Sequence, residues 1–202
     1  MVPLFVYGTL RDVTLLETVV GRALPASGRQ PARLADHAAR WAEGQAFPLL
    51  IPAKGQEAEG LLLTGLDAQD MARLDFYEGG FGYHLQTVTV QTEDGSVPAQ
   101  VWFPDEGLWQ PGAAFDLAAW QARWGAINVA AAQEMMPFHG HRSAAEIARM
   151  YPMIHARAAS RVAAARAELV DDPALPTSGM TRADVTPHDL ARPYADFFAV
   201  EE

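Results

Sequence analysis

Two short segments of this chain carry residue types that could do chemistry. The first is Tyr7-Gly8-Thr9-Leu10, which ends a short apolar run beginning at Leu4. A buried strand that stops in a glycine turn can point successive backbone N–H groups to one side. Such a nest holds a carboxylate or a developing oxyanion. Gly8 tolerates positive φ and lets the backbone approach a ligand closely. The second segment is Leu74-Asp75-Phe76-Tyr77-Glu78-Gly79-Gly80. Glu78 falls at the expected C-terminus of a helix, where the dipole disfavours negative charge. That field, with burial beside Phe76 or Tyr77, raises a carboxyl pKa toward what a general base needs near neutral pH. Taken singly, each segment also reads as something commonplace: an ordinary strand exit, and an exposed Glu before a glycine cap.

Other constellations point to less. His139-Gly140-His141 brings two imidazoles together, but no carboxylate stands at a metal-ligand spacing, so they read as solvated loop histidines. Asp36 and His37 could orient one another, yet no Ser of the nucleophile-elbow type completes a triad. Gly80 to Gly82 lacks the strand-to-helix setting of a dinucleotide loop. Arg149, Arg157, Arg161 and Arg166 read as a solvated helix face. The absence of cysteine excludes disulfides, thiolate metal sites and a Cys nucleophile. Neither a metal nor an organic cofactor is expected.

Elements that would position these groups follow from the pattern of the chain. Its 202 residues are 50% hydrophobic, enough for one globular domain with an annex. Residues 1–112 read as a barrel-like unit, 113–170 as a helical extension and 171–202 as an extended tail or linker. Leu4 to Tyr7 is a strand. Phe47 to Pro52 and Glu59 to Leu66, separated by Lys54-Gly55-Gln56, read as a hairpin. Asp67 caps a helix through Tyr77, with Gly79 and Gly80 as its left-handed stop. Tyr83 to Thr92 and Val97 to Phe103 form a second hairpin around Asp94-Gly95. The first 104 residues thus contain about five strands and one clear helix, an α+β barrel or half-barrel. Further on, Asp116 caps a short helix to Trp124, and Ser143 with Glu146 forms a capping box. Pro152 suits the first turn of a long Ala-rich helix to about Leu169.

A formal net charge of -10 argues against a nucleic-acid partner, because an acidic chain repels phosphate backbones. The N-terminus, MVPLFVYGTL, lacks the features of a signal peptide, and no apolar run is long enough to span a bilayer. The expectation is a soluble cytoplasmic protein with no membrane partner.

In this order the segments resemble the γ-glutamylcyclotransferase (AIG2-like) family. Phe5-Val6-Tyr7-Gly8-Thr9-Leu10 is similar to the family's opening strand and loop. Phe47 to Pro52, with Glu59-Gly60-Leu61-Leu62, is similar to its "PaivP…v-Gevy" pattern. Leu74-Asp75, Glu78-Gly79 and Tyr83 are similar to its "LDxxEG…Y" segment. After Tyr83 the family often carries a basic residue; His84 and Leu85 stand here. The resemblance covers about residues 2–104 and implies a small mixed β-barrel. It implies that Tyr7, Gly8, Thr9 and Leu10 line a pocket whose amides hold a γ-glutamyl group. It implies Glu78 as the acid/base, with Tyr83 against Glu78 or the substrate. The implied reaction is cyclisation of a γ-glutamyl amine or γ-glutamyl amino acid to 5-oxoproline, with release of the amine.

Arg192 to Glu202 resembles the lead-in to a Nudix hydrolase domain in two-domain bacterial proteins that begin with a cyclotransferase-like module. No Nudix box occurs in the chain. A fragment or truncated relative of such a fusion is one expectation. A non-catalytic ligand-binding or docking module accessory to a Nudix hydrolase of the ADP-ribose pyrophosphatase type is the alternative function. A third is a helical interaction protein that works through residues 113–170.

Overall fold

The structure is a computed structural model that describes residues 2–170, with side chains described through residue 167. In chain order its elements are β1 (Leu4–Val6), α1 (Val13–Val20), β2 (Arg29–Ala42), β3 (Pro48–Leu63) and α2 (Ala68–Glu78). They continue with β4 (Tyr83–Thr92), β5 (Gly95–Pro104), β6 (Pro111–Ala114), α3 (Leu117–Trp120), α4 (Ala126–Met135) and α5 (Ala144–Val170). Five strands close on themselves in the order β3-β1-β5-β4-β2, with β2 returning to β3; β6 lies outside the ring against β2. The β1–β5 pair is parallel and the other pairings are antiparallel, so the barrel is mixed. The fold is α+β, with a small mixed barrel followed by helices.

Alternation along β1 explains how the barrel joins its helices. Phe5 and Tyr7 point into a cluster that takes Leu34 from β2, Leu62 from β3, Val90 from β4 and Val101 from β5. Contributions from all five strands place this cluster inside the barrel. Leu4 and Val6 face the opposite way, into a larger cluster with Leu15 and Val19 of α1, Leu74 of α2, Ile127 of α4 and Ile154 of α5. A period of two on one short strand therefore ties both cores together.

Several expected elements differ. Phe47 to Pro52 and Glu59 to Leu66 are not the two arms of a hairpin. Both fall largely within β3, which pairs with β2 from Arg29 opposite Leu63 to Trp41 opposite Pro48. The Lys54-Gly55-Gln56 turn signal marks a bulge instead. Pairing jumps from Ala35–Glu57 to His37–Pro52, and Asp36, at φ 57°, accepts a hydrogen bond from the Gly55 N–H at 2.7 Å. A turn signal and a bulge both need a residue that bends the chain, so composition alone does not separate them. His37 binds the Ala35 carbonyl, so Asp36 and His37 do not orient each other.

Asp67 caps α2 with a full capping box to Asp70. Gly79 is right-handed at φ -69°, and the first left-handed residue beyond the helix is Gly82 at φ 72°. Gly80 has a different constraint: a Cβ there would lie 2.6 Å from the Ala144 carbonyl oxygen. The hairpin of β4 and β5 forms as expected, with Thr92 opposite Gly95.

The short helix capped by Asp116 does not end at Trp124. It passes through a π-helical turn, Gln121–Gly125, directly into α4. Ser143 and Glu146 form the expected capping box, but the helix they start runs on to Val170 with Pro152 inside it. Buried Ile147, Tyr151, Ile154 and Ala158 keep one apolar stripe across the proline, and that packing outweighs its missing N–H. Arg157 and Arg161 are not simply solvated, since both bind Glu134 of α4. Residues 171–202, including the segment from Arg192 to Glu202, lie outside the described residues. No helix among the described residues is long and apolar enough to cross a membrane.

Candidate functional site

A cavity of about 80 Å³ opens where the barrel meets the helices, with room for a small ligand. Tyr7, Gly8, Thr9, Leu10, Glu78 and Tyr83, the six residues singled out from the sequence, all line it. Distinct elements bring them there. Tyr7 follows the last residue of β1. Gly8 to Leu10 turn into a short 3-10 helix spanning Thr9–Arg11. Glu78 is the last residue of α2, and Tyr83 is the first of β4.

Geometry at the turn is set by Gly8 and the start of the 3-10 helix. The first N–H groups of a helix have no partner within it, and here these belong to the loop residues facing the cavity. Gly8 has φ -109°, so positive φ is not what selects glycine. A Cβ at this position would lie 2.8 Å from Cγ of Pro48, and this close approach demands the glycine.

Glu78 keeps partial exposure as a residue, but its carboxyl is enclosed by protein. Burial raises its pKa to about 7. Among the described residues no cation or hydrogen-bond donor offsets that penalty. Burial also pushes the Tyr7 phenol up, and the nearby Glu78 charge adds to it. Burial does the same to Tyr83, with Tyr7 and Glu78 reinforcing it. The two phenols are in hydrogen-bond contact, and the Tyr83 hydroxyl donates to the Pro48 carbonyl at 3.1 Å. Glu78, Tyr7 and Tyr83 thus form one electrostatic unit on the barrel side.

The helices complete the enclosure with residues that sequence patterns did not select. Asn128 of α4 and Tyr151 of α5 line the same cavity. Asn128 donates to the Trp124 carbonyl at 3.0 Å and accepts from the Tyr151 hydroxyl at 3.3 Å. The one available signal was Asn128 itself, a lone polar residue within the apolar run Ala126-Ile127-Asn128-Val129-Ala130. Phe81 and Trp102 supply apolar wall between the two sides. The charged side chain in this lining is Glu78; no Lys, Arg or His contributes. His139 packs edge-on against Phe76 and is not part of the site. Among the described residues no group of three His, Cys, Asp or Glu is placed to hold a metal ion.

A buried carboxyl can move a proton, and the free N–H groups at the start of a helix can stabilise negative charge; here residues carrying both line one small cavity. A family model described as "Gamma-glutamyl cyclotransferase, AIG2-like" matches residues 4–122. No curated protein matches the chain. Among solved structures, one Arabidopsis thaliana protein is 21% identical over 59% of this chain and 80% of its own, with a TM-score of 0.47. A second from the same plant is 16% identical over 88% and 94%, at 0.49. A structure titled "Gamma-glutamyl cyclotransferase" is 11% identical over 94% and 97%, at 0.41.

Proposed function

The chain belongs to the γ-glutamyl cyclotransferase, AIG2-like family, and on that premise we propose that it cyclises a γ-glutamyl amine or γ-glutamyl amino acid to 5-oxoproline with Glu78 as general acid/base. One observation carries the reading: Glu78, at the end of α2, and the Tyr7–Leu10 turn line the same cavity.

The steps follow from that placement. The Glu78 carboxylate accepts a proton from the substrate α-amine as its nitrogen attacks the γ-carbonyl carbon. A C–N bond forms, and the carbonyl electron pair moves onto oxygen. N–H groups of the Gly8–Leu10 turn hold that oxyanion. Collapse re-forms the carbonyl and breaks the bond to the leaving nitrogen, which takes the proton back from Glu78. The products are 5-oxoproline and a free amine or amino acid. A pKa of about 7 leaves both protonation states of Glu78 accessible near neutral pH, as the two transfers require. Tyr83 and Tyr7 line the same cavity and interact electrostatically with the carboxylate. Ring closure needs a folded substrate, and the small cavity favours that conformer.

A 5-oxoproline release assay over γ-glutamyl amines and γ-glutamyl dipeptides tests this, comparing wild type with Glu78→Gln. Release by wild type and its loss in the variant are expected. Equal rates in both would remove Glu78 from the mechanism. No release from any substrate would leave the pocket as a binding module.

A further inference from the structure

The proposed cyclisation creates an electrostatic problem inside the pocket. The α-carbon of a γ-glutamyl group carries both the attacking amine and a carboxylate. Once the amine is within reach of Glu78, two carboxyl groups lie close together in a cavity whose lining offers no cation. A buried carboxylate without compensating donors is costly, so neutral donors must hold it.

Candidate donors narrow quickly. In the proposed reaction the Gly8–Leu10 amides face the γ-carbonyl, at the other end of the closing ring. Tyr83 gives its proton to Pro48. Asn128 and Tyr151 line the helical side of the cavity. There Tyr151 gives its proton to Asn128 Oδ1, which fixes the amide's oxygen on that side. Asn128 Nδ2 gives one N–H to the Trp124 carbonyl. An amide nitrogen has two such donors, and the second has no partner among the described residues. Asn128 is 4% exposed and lines the cavity.

We propose that Asn128 binds the α-carboxylate of the γ-glutamyl group through this second N–H, with Tyr151 as the residue that fixes its orientation. The assignment rests on the cyclisation reading for the position of the carboxylate. Asn128 and Tyr151 lie beyond residues 4–122, so the family match does not contain them.

Ligand binding tests this without requiring turnover. 5-Oxoproline keeps the α-carboxylate, and its carboxamide replaces that group with a neutral one. Titration calorimetry on the full chain would compare both ligands for wild type, Asn128→Ala, Asn128→Asp and Tyr151→Phe. Wild type is expected to prefer 5-oxoproline by about tenfold or more, in line with a hydrogen bond to a charged group. Asn128→Ala should remove most of that preference, and Asn128→Asp should remove it or reverse it. Tyr151→Phe, which frees the amide to rotate, should reduce it by roughly threefold. A merely structural Asn128 would weaken both ligands equally and leave the ratio unchanged; that result in both Asn128 variants overturns the proposal, as does a wild type that binds neither ligand. The two readings fail separately. An altered ratio without 5-oxoproline release in the enzyme assay would keep the carboxylate site and remove the cyclisation. Release with an unaltered ratio would do the reverse.

Discussion

The pocket has two sides of different character. On the barrel side, Glu78 is buried with nothing to offset its charge, and its pKa rises to about 7. On the helical side, Asn128 and Tyr151 are tied to each other and to the Trp124 carbonyl. The first side keeps an ionisable group under electrostatic penalty, which is the state a proton-transfer group needs. The second keeps neutral groups fixed, with one Asn128 N–H left to offer, which suits them to hold a ligand in place. In the proposed mechanism reactivity and positioning are thus separated by element: α2 and the Tyr7–Leu10 turn on one side, α4 and α5 on the other.

Glu78→Gln is the sharpest way to break this contrast. In the proposed mechanism it should lower kcat/KM for 5-oxoproline release by about 10²–10⁴-fold. It should also stabilise the protein at neutral pH. The folded pKa of about 7 lies above the ordinary 4.5, so between those values the folded state holds the proton more tightly than the unfolded state. Stability contributed by the neutral form is present below about 4.5 and is lost as pH rises toward 7. Removing the ionisable group removes that loss, a gain of about 1–3 kcal/mol at neutral pH that a thermal melt would read as a Tm several degrees higher. In wild type, kcat/KM should rise with pH and level off above about 7. A variant with lower Tm at pH 7, or a pH profile shared by wild type and variant, would erase the distinction between the two sides.

Trp120→Ala probes how far the helical side supports the pocket. Trp120 is fully buried, and its Nε1 donates at 2.8 Å to the carbonyl of Ala46, a cavity-lining residue. The expected loss is about 3–5 kcal/mol in urea unfolding, with weakened ligand binding. Gly8→Ala acts on the barrel side. With Pro48 Cγ only 2.8 Å from the added methyl, it should cost about 1–3 kcal/mol and shift the turn, so activity should fall more than stability does. Arg161→Ala should matter least. Its side chain is 52% exposed where it pairs with Glu134, and the loss should be about 0.2–1 kcal/mol, shrinking further in high salt. A large effect there would mean that the α4–α5 contact, rather than the barrel, controls the site.

Legibility differed from element to element. Asp67, Ser143 and the Asp94-Gly95 turn announced themselves because caps and turns depend on residues a few positions apart. β2 did not. Its sequence, RQPARLADHAARWA, has neither alternation nor β-branched residues, and it is a strand because β3 pairs with it along nearly its whole length. α1 was equally silent: VTLLETVV is rich in β-branched residues, yet Leu15, Leu16, Val19 and Val20 bury one helical face. The same split runs through the site. Tyr7 to Leu10, Glu78 and Tyr83 stand in recognisable local patterns. Tyr151 stands before a proline in an ordinary helix and had no pattern to mark it.

By itself the sequence determined the family segments, the helix caps and the residues of the barrel side, because each depends on local spacing. It also determined the charge balance that argues against nucleic acid. Only the tertiary structure decided that β2 and β3 form one long bulged pair, that a helix crosses Pro152, and that Glu78 is buried without compensation. It alone brought Asn128 and Tyr151 to the same cavity as Glu78, because contacts between residues distant in the chain depend on how the whole core packs, and no local window contains that information.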